Sequence, residues 1–191
     1  MSILIKVPPN HYVHVVDQNL NLSRLVVGAK SFTTKTNESV LSDPKPFIVV
    51  PPDCCVTVLN PHARDEKGNP IFDKYGEIVL RLGREEVRFN CEPFPLYPGE
   101  TLRGNGQPTP LPQVEANAAF LLTAKWDLVD ADGVARTAGA RWLYKGPASL
   151  RPQAGVEIVE KRSAVIIGVN QALRVAALYD CSDVEGKKRF A

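Results

Sequence analysis

The chain has 191 residues, 44% of them hydrophobic and 23% charged, with 23 basic and 21 acidic side chains and a net charge of +2. That balance gives no global pull toward nucleic acid or an anionic membrane. No apolar run approaches the roughly 20 residues a spanning helix needs, and Ile3-Leu4-Ile5 is too short for a signal sequence and runs at once into Pro8-Pro9.

The predicted elements are β, and the predicted fold class is all-β. In chain order, Tyr12-Val13-His14-Val15-Val16, Phe47-Ile48-Val49-Val50, Val56-Thr57-Val58-Leu59, Ile78-Val79-Leu80-Arg81-Leu82 and Ala164-Val165-Ile166-Ile167 are short and rich in β-branched residues. Asp, Asn and Gly clusters mark turns at Asp65-Glu66-Lys67-Gly68-Asn69, Lys74-Tyr75-Gly76, Asp130-Ala131-Asp132-Gly133 and Val184-Glu185-Gly186. Sixteen prolines leave little room for long helices. The alanines between Val114 and Trp126 admit a helix. The related Leu173-Arg174-Val175-Ala176-Ala177-Leu178-Tyr179 reads as a strand entering an Asp-Gly turn, so both are predicted as strands. Gly104-Asn105-Gly106-Gln107-Pro108-Thr109-Pro110 is the linker candidate.

The chain also repeats itself. Residues 117–138 line up with 170–191 at an offset of 53, with eight identities in 22 pairs, among them Asn117/Asn170, Ala124/Ala177, Asp130/Asp183, Gly133/Gly186 and Ala138/Ala191. Trp126/Tyr179 and Asp132/Glu185 are conservative pairs. Val7-Pro8-Pro9-Asn10 resembles Val50-Pro51-Pro52-Asp53, and Gly28-Ala29-Lys30-Ser31-Phe32 echoes Gly146-Pro147-Ala148-Ser149-Leu150. A fixed period of this length marks units that bury their apolar faces on their neighbours. The predicted units are 1–49, 50–112 (with extra residues), 113–168 and a partial 169–191. Because the last stops where its counterpart runs on to Trp142 and Gly146, it reads as a cut inside a repeat and the chain as a fragment.

Candidate chemistry is sparse. Asp127, Asp130, Asp132 and Gly133 hint at a calcium loop, but with Gly133 sixth the first and twelfth positions fall on Leu128 and Gly139, where carboxylates are needed. A turn accounts for the same residues. His11 and His14 fall on opposite faces of a strand, and His62 stands alone in an Asn-Pro-His loop. Cys54, Cys55, Cys91 and Cys181 show no metal spacing and read as reduced, structural thiols. Gly104-Asn105-Gly106 lacks the G-K-[ST] of a phosphate loop. No cofactor motif, nucleophile with its base, or paired acid and base appears. Basic residues from Arg81 to Arg162 are interspersed with acids such as Glu157 and Glu160, a pattern that suits contacts between identical subunits. Arg141, Glu157 and Glu160 are therefore candidate self-assembly residues. Ile3, Ile5 and Val7, on one side of a strand at the start of the row, are the candidates for end-to-end contact. Glu92-Pro93-Phe94-Pro95-Leu96-Tyr97-Pro98-Gly99-Glu100 has three prolines that fix an extended path, and reads as a brace across its own repeat, with a ligand for a partner's aromatic groove as the alternative.

Four segments carry a family resemblance. They are His11-Tyr12-Val13-His14-Val15-Val16-Asp17-Gln18-Asn19, Pro93-Phe94-Pro95-Leu96-Tyr97-Pro98-Gly99-Glu100, Trp142-Leu143-Tyr144-Lys145-Gly146-Pro147 and Asn170-Gln171-Ala172-Leu173-Arg174. In this order they resemble the major vault protein family across nearly the whole chain. The resemblance implies a row of antiparallel β repeats in a non-enzymatic structural subunit of a hollow ribonucleoprotein shell, in the cytoplasm with a possible nuclear fraction. It implies that copies stand side by side, that this chain is the amino-terminal waist end, and that partners are further copies with other vault proteins and vault RNA. Three features depart from the family: Arg141 where the family tends to be acidic, Leu150 in place of an aromatic, and the Gly104 loop. The competing reading is a β-repeat module that binds partner proteins without forming a shell.

Overall fold

Short β-branched runs broken by proline and glycine favour strands over helix. The computed structural model describes residues 3–176, 180–182 and 186–190, and among them it has strands and turns but no helix. The first group is β1 (Leu4–Val7), β2 (His11–Asp17), β3 (Leu22–Val27), β4 (Lys30–Thr33), β5 (Glu38–Val40) and β6 (Lys45–Pro46). β2 is central, antiparallel to β3 on one side and to β5 and β6 on the other, and β1 pairs with β4. The second group is β7 (Cys54–Leu59), β8 (Glu85–Phe89), β9 (Thr101–Leu102) and β10 (Thr109–Pro110), with β7 central. The third is β11 (Gln113–Val114), β12 (Ala118–Ala124), β13 (Leu128–Val129), β14 (Ala135–Arg136), β15 (Arg141–Lys145), β16 (Ala148–Ser149) and β17 (Val156–Ser163). Here β12 lies between β15 and β17, β11 pairs with β16, and β13 and β14 form a hairpin. A last ribbon joins β18 (Cys181–Ser182) to β19 (Lys188–Arg189).

The three larger groups share one plan. Alternation along each central strand turns Val13 and Val15, Val56 and Val58, and Phe120 and Leu122 inward, none more than 8% exposed. The three central strands are entered by the same turn, which recurs at Gln171 without a strand directly following it. The N–H groups of His11, Cys54, Ala118 and Gln171 donate to the carbonyls of Pro8, Pro51, Glu115 and Gly168 at 3.3, 3.0, 3.1 and 3.1 Å. Asn10 and Asn170 take left-handed φ values of 58° and 64° there, which asparagine tolerates better than most residues. The glycine echo also has a cause. A Cβ at Gly28 would run into the carbonyls of Val7 and Pro8, and one at Gly146 into those of Val114 and Glu115. Both positions need a residue without a side chain.

The Asp-Gly clusters are turns, as expected. Oδ1 of Asp65 accepts from the N–H groups of Lys67 and Asn69 at 2.9 and 2.8 Å, and that of Asp73 from Tyr75 and Glu77 at 2.8 and 2.9 Å. Asp130 does the same for Asp132 and Val134 at 3.0 and 2.8 Å. Each loop closes through a glycine at positive φ, Gly68, Gly76 or Gly133.

Four predicted strands need correction. Around Phe47-Ile48-Val49-Val50 and Ile78-Val79-Leu80-Arg81-Leu82 there are isolated bridges, Ile48 with Phe94, Ile78 with Phe72 and Leu80 with His62. Residues 164–167 lie past β17, with Val165 and Ile166 70% and 82% exposed. The described part of the predicted strand from Leu173 to Tyr179 is likewise not a strand. β-Branched residues fit a pleated surface, but a strand forms only where a partner ladder meets it. Met1, Ala177, Leu178, Tyr179, Asp183, Val184, Glu185 and Ala191, which enter the predicted repeat, strand, turn and end segment, lie outside the described residues.

Candidate functional site

The interior of the second group differs from its neighbours. Across from the inward residues Val13 and Phe120 stand Val26 and Tyr144, whereas across from Val56 stands Arg88. Apolar clusters fill the first and third groups, around Val7, Val13, Val15 and Val26 and around Val114, Phe120, Leu122 and Leu150. In the second, Arg88, His62 and Glu100 are buried at 8%, 6% and 5% exposure.

These three belong to a network closed by the loops after β7 and β8. The backbone N–H and ring Nδ1 of His62 donate to Glu100 Oε1 at 2.9 and 2.7 Å, and Tyr97 N–H donates to Oε2 at 2.8 Å. Arg64 Nε donates to His62 Nε2 at 3.1 Å, which assigns the ring hydrogen to Nδ1. Arg88 Nη2 lies 3.5 Å from Glu100 Oε1, while its Nε donates to Glu86 Oε1 at 2.7 Å. Glu86 also gathers Arg64 and Arg81 at 3.2 and 2.8 Å. The Arg88 guanidinium covers the Phe94 ring at 4.4 Å, and the His62 and Tyr97 rings lie 4.6 Å apart. Burial pushes the Glu100 carboxyl up, but the hydrogen bonds from His62 and Tyr97 outweigh it and hold the group below its ordinary range. Both carboxylate oxygens are occupied by the chain's own donors, an arrangement suited to locking a fold.

The proline-rich segment spans two groups. Phe94 bridges Ile48 through N–H to carbonyl bonds of 2.9 and 3.1 Å. Leu96 reaches β2, where its carbonyl lies 2.7 Å from His14 Nε2. The Tyr12 phenol is pushed up by burial, partly offset by a hydrogen bond with the Leu96 backbone. Tyr97, next along, faces His62. The segment is a brace, as expected, and it clamps the first group as well as its own. Sequence reading missed the buried network, since its members are scattered from 62 to 100. Aligning the units would have flagged it, because a charged Arg88 falls where the others place Val26 and Tyr144.

The residues expected at contacts are placed as follows. Ile3 is 58% exposed, Ile5 is half-buried against the first apolar cluster, and Val7 is 3% exposed within it. The three do not form one open apolar face, because Val7 packs into the first cluster with Val13, Val15 and Val26 and Ile5 lies against it. Arg141, Glu157 and Glu160 do share one open face of the third sheet. Arg141 on β15 and Glu157 on β17 flank Thr123, and Glu160 stands beside Leu121. Within the chain Glu157 pairs with Lys125 at 3.5 Å and Glu160 with Arg162 at 3.2 Å. Among the described residues, no three His, Cys, Asp or Glu side chains converge as a metal site, and no helix is long and apolar enough to cross a membrane. Cys54, Cys55 and Cys91 are free thiols.

Comparison with known proteins agrees with the repeated plan. A family model described as the major vault protein repeat domain matches residues 47–105. The chain is 45% identical to the major vault protein of Homo sapiens over 188 residues, covering 98% of this chain and 21% of that protein. It is 42% identical over 191 residues to major vault protein alpha of Dictyostelium discoideum, covering 100% and 22%. With the major vault protein of Trypanosoma cruzi (strain CL Brener) the identity is 39% over 193 residues, covering 100% and 23%. The chain thus spans about a fifth of the length of the curated relatives it matches. With that likeness running along nearly all of its residues, and the repeat model falling on the braced second group, the chain is a homologue of part of the major vault proteins and matches their repeat.

Proposed function

We propose that this stretch is a non-enzymatic structural part of a vault shell, a row of β units that stands beside identical copies at the amino-terminal, waist end of the shell. The observation that carries this is the open face of the third sheet, with a cation on one edge strand and carboxylates on the other. Arg141 of one copy meeting Glu157 and Glu160 of the next is a head-to-tail contact, and such contacts close into rings when the rotation between copies is right. Further copies are the main partner. Other vault proteins and vault RNA complete the particle, in the cytoplasm and in a nuclear fraction. In the full-length protein, Arg141→Glu or Glu157→Arg alone should weaken side-by-side assembly, seen as a shift to small species in sedimentation velocity. The double swap should recover part of it. Unchanged assembly of both single variants would rule out this face as the lateral contact.

The end-to-end joint is proposed at the β1 side of the first group, where Ile3 and Leu4 are 58% and 59% exposed. Ile5 packs against the first apolar cluster and Val7 anchors the strand in the core. A strand edge with exposed apolar residues pairs readily with another chain. Ile3→Lys in the full-length protein should leave lateral contacts intact and yield half-shells by electron microscopy. Whole shells at unchanged yield and salt stability would place the joint elsewhere.

A further inference from the structure

We propose that the outer face of the third sheet, over Ala119, is a docking groove for a proline-stiffened loop supplied by the next repeat unit along the row. This goes beyond the lateral contact, which uses the Thr123 row about 13 Å further along β12 at strand rise.

The two preceding groups show the rule. On the outer face of the first, the row Val27–Tyr12–Lys45 is capped by the second group's loop, with the Leu96 backbone on Tyr12 and His14. On the second, the row is Phe89–Cys55–Thr109, and the third group's loop places the Arg151 guanidinium 5.9 Å from the Phe89 ring. These loops occupy the same place in their groups. Each is followed by the same turn, with Glu100 N–H on Tyr97 O and Val156 N–H on Gln153 O at 3.0 and 3.1 Å.

On the third, the equivalent row is Lys145–Ala119–Arg162. Alanine stands where the first group has tyrosine. The result is an open groove of about 350 Å³, whose lining includes Ala119, Gly146, Leu143, Lys145 and Arg162. Leu143 is 48% exposed. The earlier rows contain an aromatic ring, whereas this one has two cations and a gap. An aromatic or large apolar side chain on a rigid loop fits that gap, with its ring between the cations and its carbonyls facing them. Proline keeps the ordering cost of such a loop low.

The probe is a synthetic peptide of sequence Glu-Pro-Phe-Pro-Leu-Tyr-Pro-Gly-Glu, titrated into the chain and followed by NMR. Shifts should centre on Ala119, Leu143 and Lys145. Ala119→Tyr, which fills the groove with the first group's own residue, should weaken binding by about tenfold or more, as for loss of one buried anchor. Should that variant misfold, Leu143→Glu on the exposed wall reads the same contact. A peptide with both aromatics replaced by alanine should lose binding to a similar degree. The proposal is overturned by no shifts at these residues, by equal affinity of wild type and variant, or by concentration-dependent self-association that the peptide does not displace. None of these readouts depends on shell formation.

Discussion

Replacing Glu100 with alanine is expected to destabilise the second group by about 3–5 kcal/mol, the usual cost of breaking a buried ion pair from one side. The carboxylate answers two donors on His62, one on Tyr97 and the nearby Arg88 guanidinium. Without it Arg88 remains buried, at 8% exposure, with Glu86 as the carboxylate left to pair with it. The loss should appear as a lower urea midpoint at pH 7. A change below about 1 kcal/mol, the scale of a surface pair, would contradict the network's role. The same group sets an acid limit. Its folded carboxyl lies below the ordinary range, so its contribution is complete above the unfolded value of about 4.3. It is lost as pH falls through the lower folded value. Glu100→Gln should flatten that acid limb of the stability curve.

Leu122→Ala should cost about 2–5 kcal/mol through the cavity it leaves. Leu122 is 2% exposed, in the cluster of Val114, Phe120 and Leu150, with Trp142, Tyr144 and Val156 against it. The neighbouring Leu121 points to the opposite face of the same strand. Leu121→Ala should cost far less, which separates inner from outer positions by denaturant titration. Equal costs would contradict the assigned register of β12.

What was legible in the sequence was local. β-Branched runs bounded by proline and Asp-Gly pairs mark β2, β7 and the turns at Asp65 and Asp130, because their physics resides in a few adjacent residues. The charged row was legible in composition, and the fold then set Arg141 and Glu157 on either side of Thr123. Pairing was not legible. Phe47-Ile48-Val49-Val50 and Ile78-Val79-Leu80 have strand composition but find single bridges, since the ladder depends on what lies opposite. Nor was the burial of Val7, because alternation alone does not say which face a neighbouring strand covers. His62 read as a lone loop histidine because its partner Glu100 is 38 residues away.

The central claim, that this row of β units builds a shell by side-by-side contact, is tested most directly by negative-stain electron microscopy of the full-length protein. The account predicts closed hollow particles for the wild type and their loss with Arg141→Glu. Well-dispersed monomers or dimers from the wild type, under conditions where the β units are folded by circular dichroism, would contradict it.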